Sequence, residues 1–174
     1  MAEQQQRNPN LMNPKAMAAV AGTRGAGENV VLFSEVLTKV NNAKDKPKKI
    51  AVLQQYDNAP LRQVLKGAFD PNIEWLLPKG DVPYTPNDAP LGTEHTVLSQ
   101  EAKRLYLFTK GGDNTLSQNK REMTFVQMLE GLSAEEAEFL VAVVNKKVNN
   151  KYKGFTANLV KEAFNWNDNF MKNA

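Results

Sequence analysis

Apolar residues in this chain recur at helical spacing, in short runs bounded by Pro, Gly or polar capping residues. The first run follows the i, i+3, i+4, i+7 pattern, which places side chains on one face of a helix. Its members are Phe33, Val36, Leu37 and Val40. Later runs have the same character: Ile50 and Leu53; Leu61, Leu65, Ala68 and Phe69; Ala102, Leu105, Tyr106 and Phe108; Phe125, Met128, Leu129 and Leu132; Phe139, Leu140, Val143 and Val144; Leu159, Val160, Ala163 and Phe164. The pattern predicts an all-α fold, a single compact bundle of about six to eight short helices.

Local signals predict where these helices begin. Pro47 suits a first helical turn, and either Asp57 or Asn58 can cap the following helix. Ser133 with a glutamate three residues later forms a capping box, in which each side chain satisfies a free amide. Ser99 and Thr156 are the remaining cap candidates.

Residues 71–97 hold five of the nine prolines, so continuous helix is not expected there. This segment is predicted to be a long loop. Trp75, Leu76 and Leu77 precede one of the prolines and are expected to insert into the core.

The chain divides into an arm over residues 1–28 and a helical domain over residues 29–174. The arm contains three consecutive Gln, two Pro and three Gly, without periodic large aliphatic residues, so it is predicted to be extended or disordered. A domain of about 150 residues is long enough to bury one core. No run of about 18 apolar residues occurs, and the start lacks the apolar segment of a signal peptide. We therefore expect no membrane association and a protein that stays in the cell that makes it.

Composition argues against catalysis. The chain has no Cys and one His, which excludes a Cys nucleophile, a thiolate metal cluster and a His-rich zinc site. Residues 22–27 have the glycine spacing of a P-loop, but Glu28 and Asn29 follow where Lys and Ser or Thr are required, so a hinge is favoured. The other candidates match no catalytic or ligand motif: His95, Asp81, Asp88 and Glu94. We expect no catalytic residue, no cofactor and no bound metal.

Charge is strongly segregated along the chain, although the formal net charge is only +3. Residues 39–49 hold five Lys and one Asp, and residues 145–174 hold six Lys and two acids. By contrast, residues 70–101 hold six acids and one Lys, and residues 122–138 hold five Glu and no base. Clustered lysines are what phosphate contact requires. The alternative is that these lysines are ordinary solvated helix ends.

The densest basic element lies within residues 145–156. It combines Lys and Asn with an aromatic residue and with the start of a helix, all of which suit contact with a sugar–phosphate backbone. It contains no Arg, the usual reader of guanine, so shape and backbone recognition is expected. The predicted DNA-binding residues are Lys146, Lys147, Asn149, Asn150, Lys151, Lys153, Thr156 and Lys161, with Lys46, Lys48 and Lys49 from the first cluster. The sequence leaves open whether the two clusters share a face.

The order of these segments resembles that in a known family. Residues 46–71 read KPKKIAVLQQYDNAPLRQVLKGAFDP, followed by LYLFTK at 105–110, Phe125, and the segment from Val144 to Phe164 with GFTANLVKEAF at its end. This pattern over about residues 30–166 is similar to the helical N-terminal DNA-binding domain of T4-like bacteriophage ATP-dependent DNA ligases. The resemblance implies a domain that grips the duplex backbone across the minor groove. It does not imply ligation, because Lys79, Gly80 and Asp81 scramble the nucleotidyltransferase motif.

Two functions are therefore expected from the sequence. The first is a non-enzymatic phage protein that binds duplex DNA, intact or nicked, without sequence preference. The second is a phage virion component or adaptor that uses the helical domain and the arm over residues 1–28 to contact a phage or host protein. Either function would place the protein in the cytoplasm of the infected host cell or in the virion.

Overall fold

A computed structural model describes residues 32–88 and 95–172 of the chain, and the predicted arm over residues 1–28 lies outside them. The described residues form α1 (Phe33–Asn42), α2 (Lys46–Gln55), α3 (Ala59–Phe69), α4 (Leu98–Glu101), a 3-10 helix (Ala102–Phe108), α5 (Gln118–Gly131), α6 (Ala134–Val144), α7 (Val148–Lys151) and α8 (Ala157–Phe164). No strand occurs among these residues. The predicted all-α fold class is confirmed.

Three of the predicted helix caps are confirmed. Asn58 caps α3 by accepting a hydrogen bond from the Leu61 amide at 2.8 Å, which decides between the two candidates. Thr156 caps α8, and Ser133 caps α6 with its hydroxyl accepting from the Glu136 amide at 3.2 Å, which confirms the hydroxyl half of the predicted capping box. These caps satisfy amides that have no partner within their own helix.

The predicted cap at Ser99 is wrong, because α4 begins at Leu98 and its N-cap is Val97. An acceptor from another helix replaces the local cap. The Glu136 carboxylate accepts from the Leu98 amide at 2.9 Å and from the Phe33 amide at 2.8 Å. Glu136 is fully buried. A single side chain from the first turn of α6 therefore fixes the beginnings of α1 and α4.

The core is built around α6, which contacts α1, α3, α5 and α7. Phe139, Leu140 and Val143 of α6 are fully buried. Each such side chain contributes about 1.5–3 kcal/mol through its removal from water. Beside them, the rings of Phe108 and Phe125 meet edge to face with centroids 5.2 Å apart.

The described part of the Pro-rich loop, residues 71–88, contains no helix, as predicted. Trp75 and Leu77 are buried, whereas Leu76 is half-buried. The Trp75 indole Nε1 donates to the Gly67 carbonyl at 3.0 Å. Further along, the Gly80 amide and carbonyl bond to the side chain of Asn145 at 2.9 and 3.0 Å. The loop is thus fixed against α3 and the end of α6.

Among the helices of residues 32–88 and 95–172, none is long and apolar enough to cross a lipid bilayer.

Candidate nucleic-acid interface

The two lysine clusters, about 100 residues apart in sequence, meet where α2 packs beside α8. A methyl group added to Gly154 would lie 2.8 Å from Lys49 Nζ, and Lys46 Nζ pairs with the Glu162 carboxylate. We call the surface formed by Lys46, Lys48, Lys49, Lys153 and Thr156 the basic face. The turn that carries Lys153 and Gly154 therefore lies next to the lysines of α2.

The lysines of α2 take these positions because of how α2 begins. Asp45 is the N-cap and accepts from the Lys48 amide at 3.0 Å, and Pro47 lies in the first turn. The Lys49 ammonium reaches back to the last turn of α1 and donates to the carbonyls of Val40 and Asn41 at 3.0 and 3.1 Å. A cation at a helix C-terminus is favoured by both hydrogen bonding and the helix dipole.

Two lysines of the basic face form exposed ion pairs. The Lys46–Glu162 pair has side chains that are 53% and 56% exposed. Lys48 lies 3.9 Å from Asp45 Oδ2, and both side chains are more than half exposed. Exposed pairs contribute only about 0–1 kcal/mol, so both lysines can exchange their carboxylate for a phosphate.

The segment that precedes α8 supplies lysines without such partners. Lys147 and Lys153 are exposed, and no carboxylate of the described residues lies within ion-pair distance of either. Asn149, Asn150 and Thr156 are also exposed. These side chains are available to a ligand from solvent.

Two other predicted residues are held more firmly. Lys151 pairs with Glu138 at 2.7 Å and lies 5.7 Å from the centre of the Tyr152 ring. Lys161 is only 21% exposed and lies over the ring of Phe170 at 4.9 Å. Both lysines therefore already serve contacts within the protein.

Lys146 has a structural role. It adopts a φ of 56° in the turn after α6, and its ammonium donates to the Asp70 carbonyl at the end of α3. Partial burial lowers the pKa of Lys146, against an opposing effect of Asp70. No described contact joins Lys146 to the lysines of α2.

The sequence prediction missed residues on α1 that border the basic face. The Asn41 side chain accepts from the Gly154 amide at 3.2 Å and so joins α1 to the turn before α8. Lys39 and Asn41 also line a cleft of about 550 Å³ with Lys151 and Tyr152. Burial, aided by the neighbouring glutamates, raises the pKa of Tyr152 to about 12. Lys39 lies in the charge cluster of residues 39–49, which was the signal available in the sequence.

The structure describes three of the candidate metal and catalytic residues. Glu94 and residues 22–27 lie outside the described residues, and His95, Asp81 and Asp88 are exposed. Within residues 32–88 and 95–172, no group of three or more His, Cys, Asp or Glu side chains could hold a metal ion.

Comparison with known proteins gives one match. The sequence profile of DUF6433, a family of unknown function, matches residues 36–150, from α1 into α7. Lys46, Lys48 and Lys49 lie inside the matched region, whereas Lys153 and Thr156 follow it. No curated protein and no solved structure matches the chain.

Proposed function

We propose that this chain, which belongs to DUF6433, a family of unknown function, binds the backbone of duplex DNA without sequence preference and without catalysing a reaction. The observation that carries the proposal is the meeting of the two lysine clusters on the basic face. Each cluster alone is compatible with solvated helix ends, but lysines from two neighbouring elements can contact successive phosphates.

The chemistry of the basic face favours phosphate over base edges. Its cations are lysines, which bind phosphate as point charges, and it contains no Arg for bidentate reading of guanine. Thr156 caps the N-terminus of α8, whose first turn contains no acidic residue, so the helix dipole favours an approaching anion. The resemblance to the DNA-binding domain of phage DNA ligases supports the same function, in the infected host cell and on intact or nicked duplex.

Fluorescence anisotropy with labelled duplexes of unrelated sequence, intact and nicked, tests the proposal. Contact with about three phosphates gives a slope of log affinity against log salt near −3. We expect the same affinity for different sequences. The reversals Lys48→Glu and Lys153→Glu together should weaken binding at least tenfold.

A matched control variant separates an effect of the basic face from an effect of the protein's net charge. Lys103→Glu with Lys120→Glu makes the same change in charge at two exposed lysines, which lie on the 3-10 helix and α5. This variant should stay within about threefold of the wild type. Equal losses in both variants, or an affinity that does not depend on salt, would contradict the proposal. Incubation of the complex with Mg²⁺ or Mn²⁺ should leave the DNA uncut, as expected of a protein that is not a nuclease.

A further inference from the structure

An apolar groove lies between the Pro-rich loop and α5, and it shares no residue with the basic face. It encloses about 250 Å³. Its floor and walls include Leu77, Val82, Phe125 and Val126, with Met123 at the surface. Met123 is 61% exposed, so this apolar side chain is accessible to a partner at the edge of the groove.

Hydrogen bonds hold both walls of the groove in place. At one end, Gln118 Nε2 of α5 donates to the Leu76 carbonyl at 2.9 Å. Beyond the other wall of the groove, the Thr85 amide donates to Glu130 Oε2 at 2.8 Å. The loop is thus tied to α5 on both sides of the cavity. A groove formed in this way needs little rearrangement to accept a ligand.

The rim of the groove is acidic. The lining contains two carboxylates, Asp81 and Glu122, and no base. Asp81 is exposed, and Glu122 Oε2 accepts from Gln118 Nε2 at 2.7 Å. These residues come from the two acidic stretches of the sequence, residues 70–101 and 122–138. Apolar surface beside carboxylates without a neighbouring base in the lining is complementary to apolar side chains flanked by cations.

We propose that this groove binds a short segment of another protein in which apolar side chains stand next to Lys or Arg. The apolar side chains fill the cavity between the loop and α5, and the cation pairs with Asp81 or Glu122. Because the basic face lies on other elements, the protein can bind DNA and this partner at the same time. It would thereby bring a second protein to DNA.

Selection from a random-peptide display library against the full-length protein tests the proposal. Enriched peptides should share apolar residues adjacent to Lys or Arg. A synthetic representative should lose at least tenfold in affinity with Met123→Glu. Met171→Glu is the matched control, because Met171 has the same exposure of 61% and should leave affinity unchanged. The double variant Asp81→Lys with Glu122→Lys should bind the peptide at least fivefold more weakly. A peptide in which Glu replaces each Lys or Arg should bind that variant again.

Four results would overturn the proposal. The first is that the enriched peptides share no sequence pattern. The second is that they share apolar residues but no adjacent Lys or Arg. The third is that the variant with Lys15→Glu and Met17→Glu binds the peptide more tightly than the wild type. Such a gain would mean that this chain's own residues 1–31 compete with the peptide for the groove. The fourth is concentration-dependent dimerisation that Met123→Glu abolishes, because the occupant would then be a second copy.

Discussion

Removal of the Glu136 carboxylate should strongly destabilise the protein, because this side chain holds the beginnings of two other helices. Glu136 is fully buried and accepts from the Phe33 and Leu98 amides at 2.8 and 2.9 Å. Hydrogen bonds to a charged group contribute about 1.5–3 kcal/mol each. With Glu136→Ala, both amides lose this acceptor inside the core. We therefore expect a loss of about 3–5 kcal/mol, against a total stability of about 5–15 kcal/mol for a typical domain.

Glu136→Gln refines the test, because it keeps the shape of the side chain. The amide retains one oxygen but directs its own N–H groups toward one of the two backbone donors. We expect a loss of about 2–3 kcal/mol, smaller than that of Glu136→Ala. Both values can be measured by urea unfolding followed by circular dichroism. Hydrogen exchange should show faster exchange at the Phe33 and Leu98 amides.

Glu138→Ala provides the control on the same helix. Glu138 is 57% exposed and pairs with Lys151, so its removal should cost at most about 1 kcal/mol. The reasoning would be refuted if Glu136→Ala stayed within about 1 kcal/mol of the wild type. It would also be refuted if Glu138→Ala cost as much as Glu136→Ala.

Three further predictions follow from local contacts. Gly67→Ala places a methyl group 2.7 Å from Trp75 Cζ2, so the free energy of unfolding should fall by about 1–3 kcal/mol, measured by tryptophan fluorescence in urea. The pKa of Tyr152 is raised from 10.0 to about 12, so the unfolded chain releases this proton first and stability should decline between pH 10 and 12. Tyr152→Phe should reduce that decline in unfolding experiments across this range. Lys153→Met should lower the salt slope of DNA binding by about 1, whereas Lys146→Met should leave the slope unchanged, because its ammonium is bound to a backbone carbonyl.

The helices could be predicted from the sequence where their signals are local. The apolar pattern of α1, from Phe33 to Val40, lies within that helix. Each confirmed cap acts on the first turn of its own helix, as at Asn58, Ser133 and Thr156. The start of α4 could not be predicted in this way. Its acceptor is Glu136, 38 residues further along the chain, so Ser99 remained the better local candidate.

The candidate interface could be predicted only in part. Counting charge along the sequence identified both lysine clusters, because clustering is a local property. The contact between them depends on α2 packing against α8, which no local pattern encodes. Whether a given ammonium faces solvent is likewise decided by tertiary contacts, as the exposed Lys153 and the carbonyl-bound Lys146 show.

The contacts of the lysines also limit how strongly the basic face can bind. Lys49 directs its ammonium at the last carbonyls of α1, so it attracts phosphate mainly from a distance. Lys46 and Lys48 must give up exposed carboxylate partners, which costs up to about 1 kcal/mol each. Lys153 can bind phosphate without such a cost. The basic face therefore makes few direct phosphate contacts, and some of them replace existing ion pairs, so one molecule should bind DNA weakly. Binding should depend on low salt or on a partner that raises the local concentration of the protein at DNA.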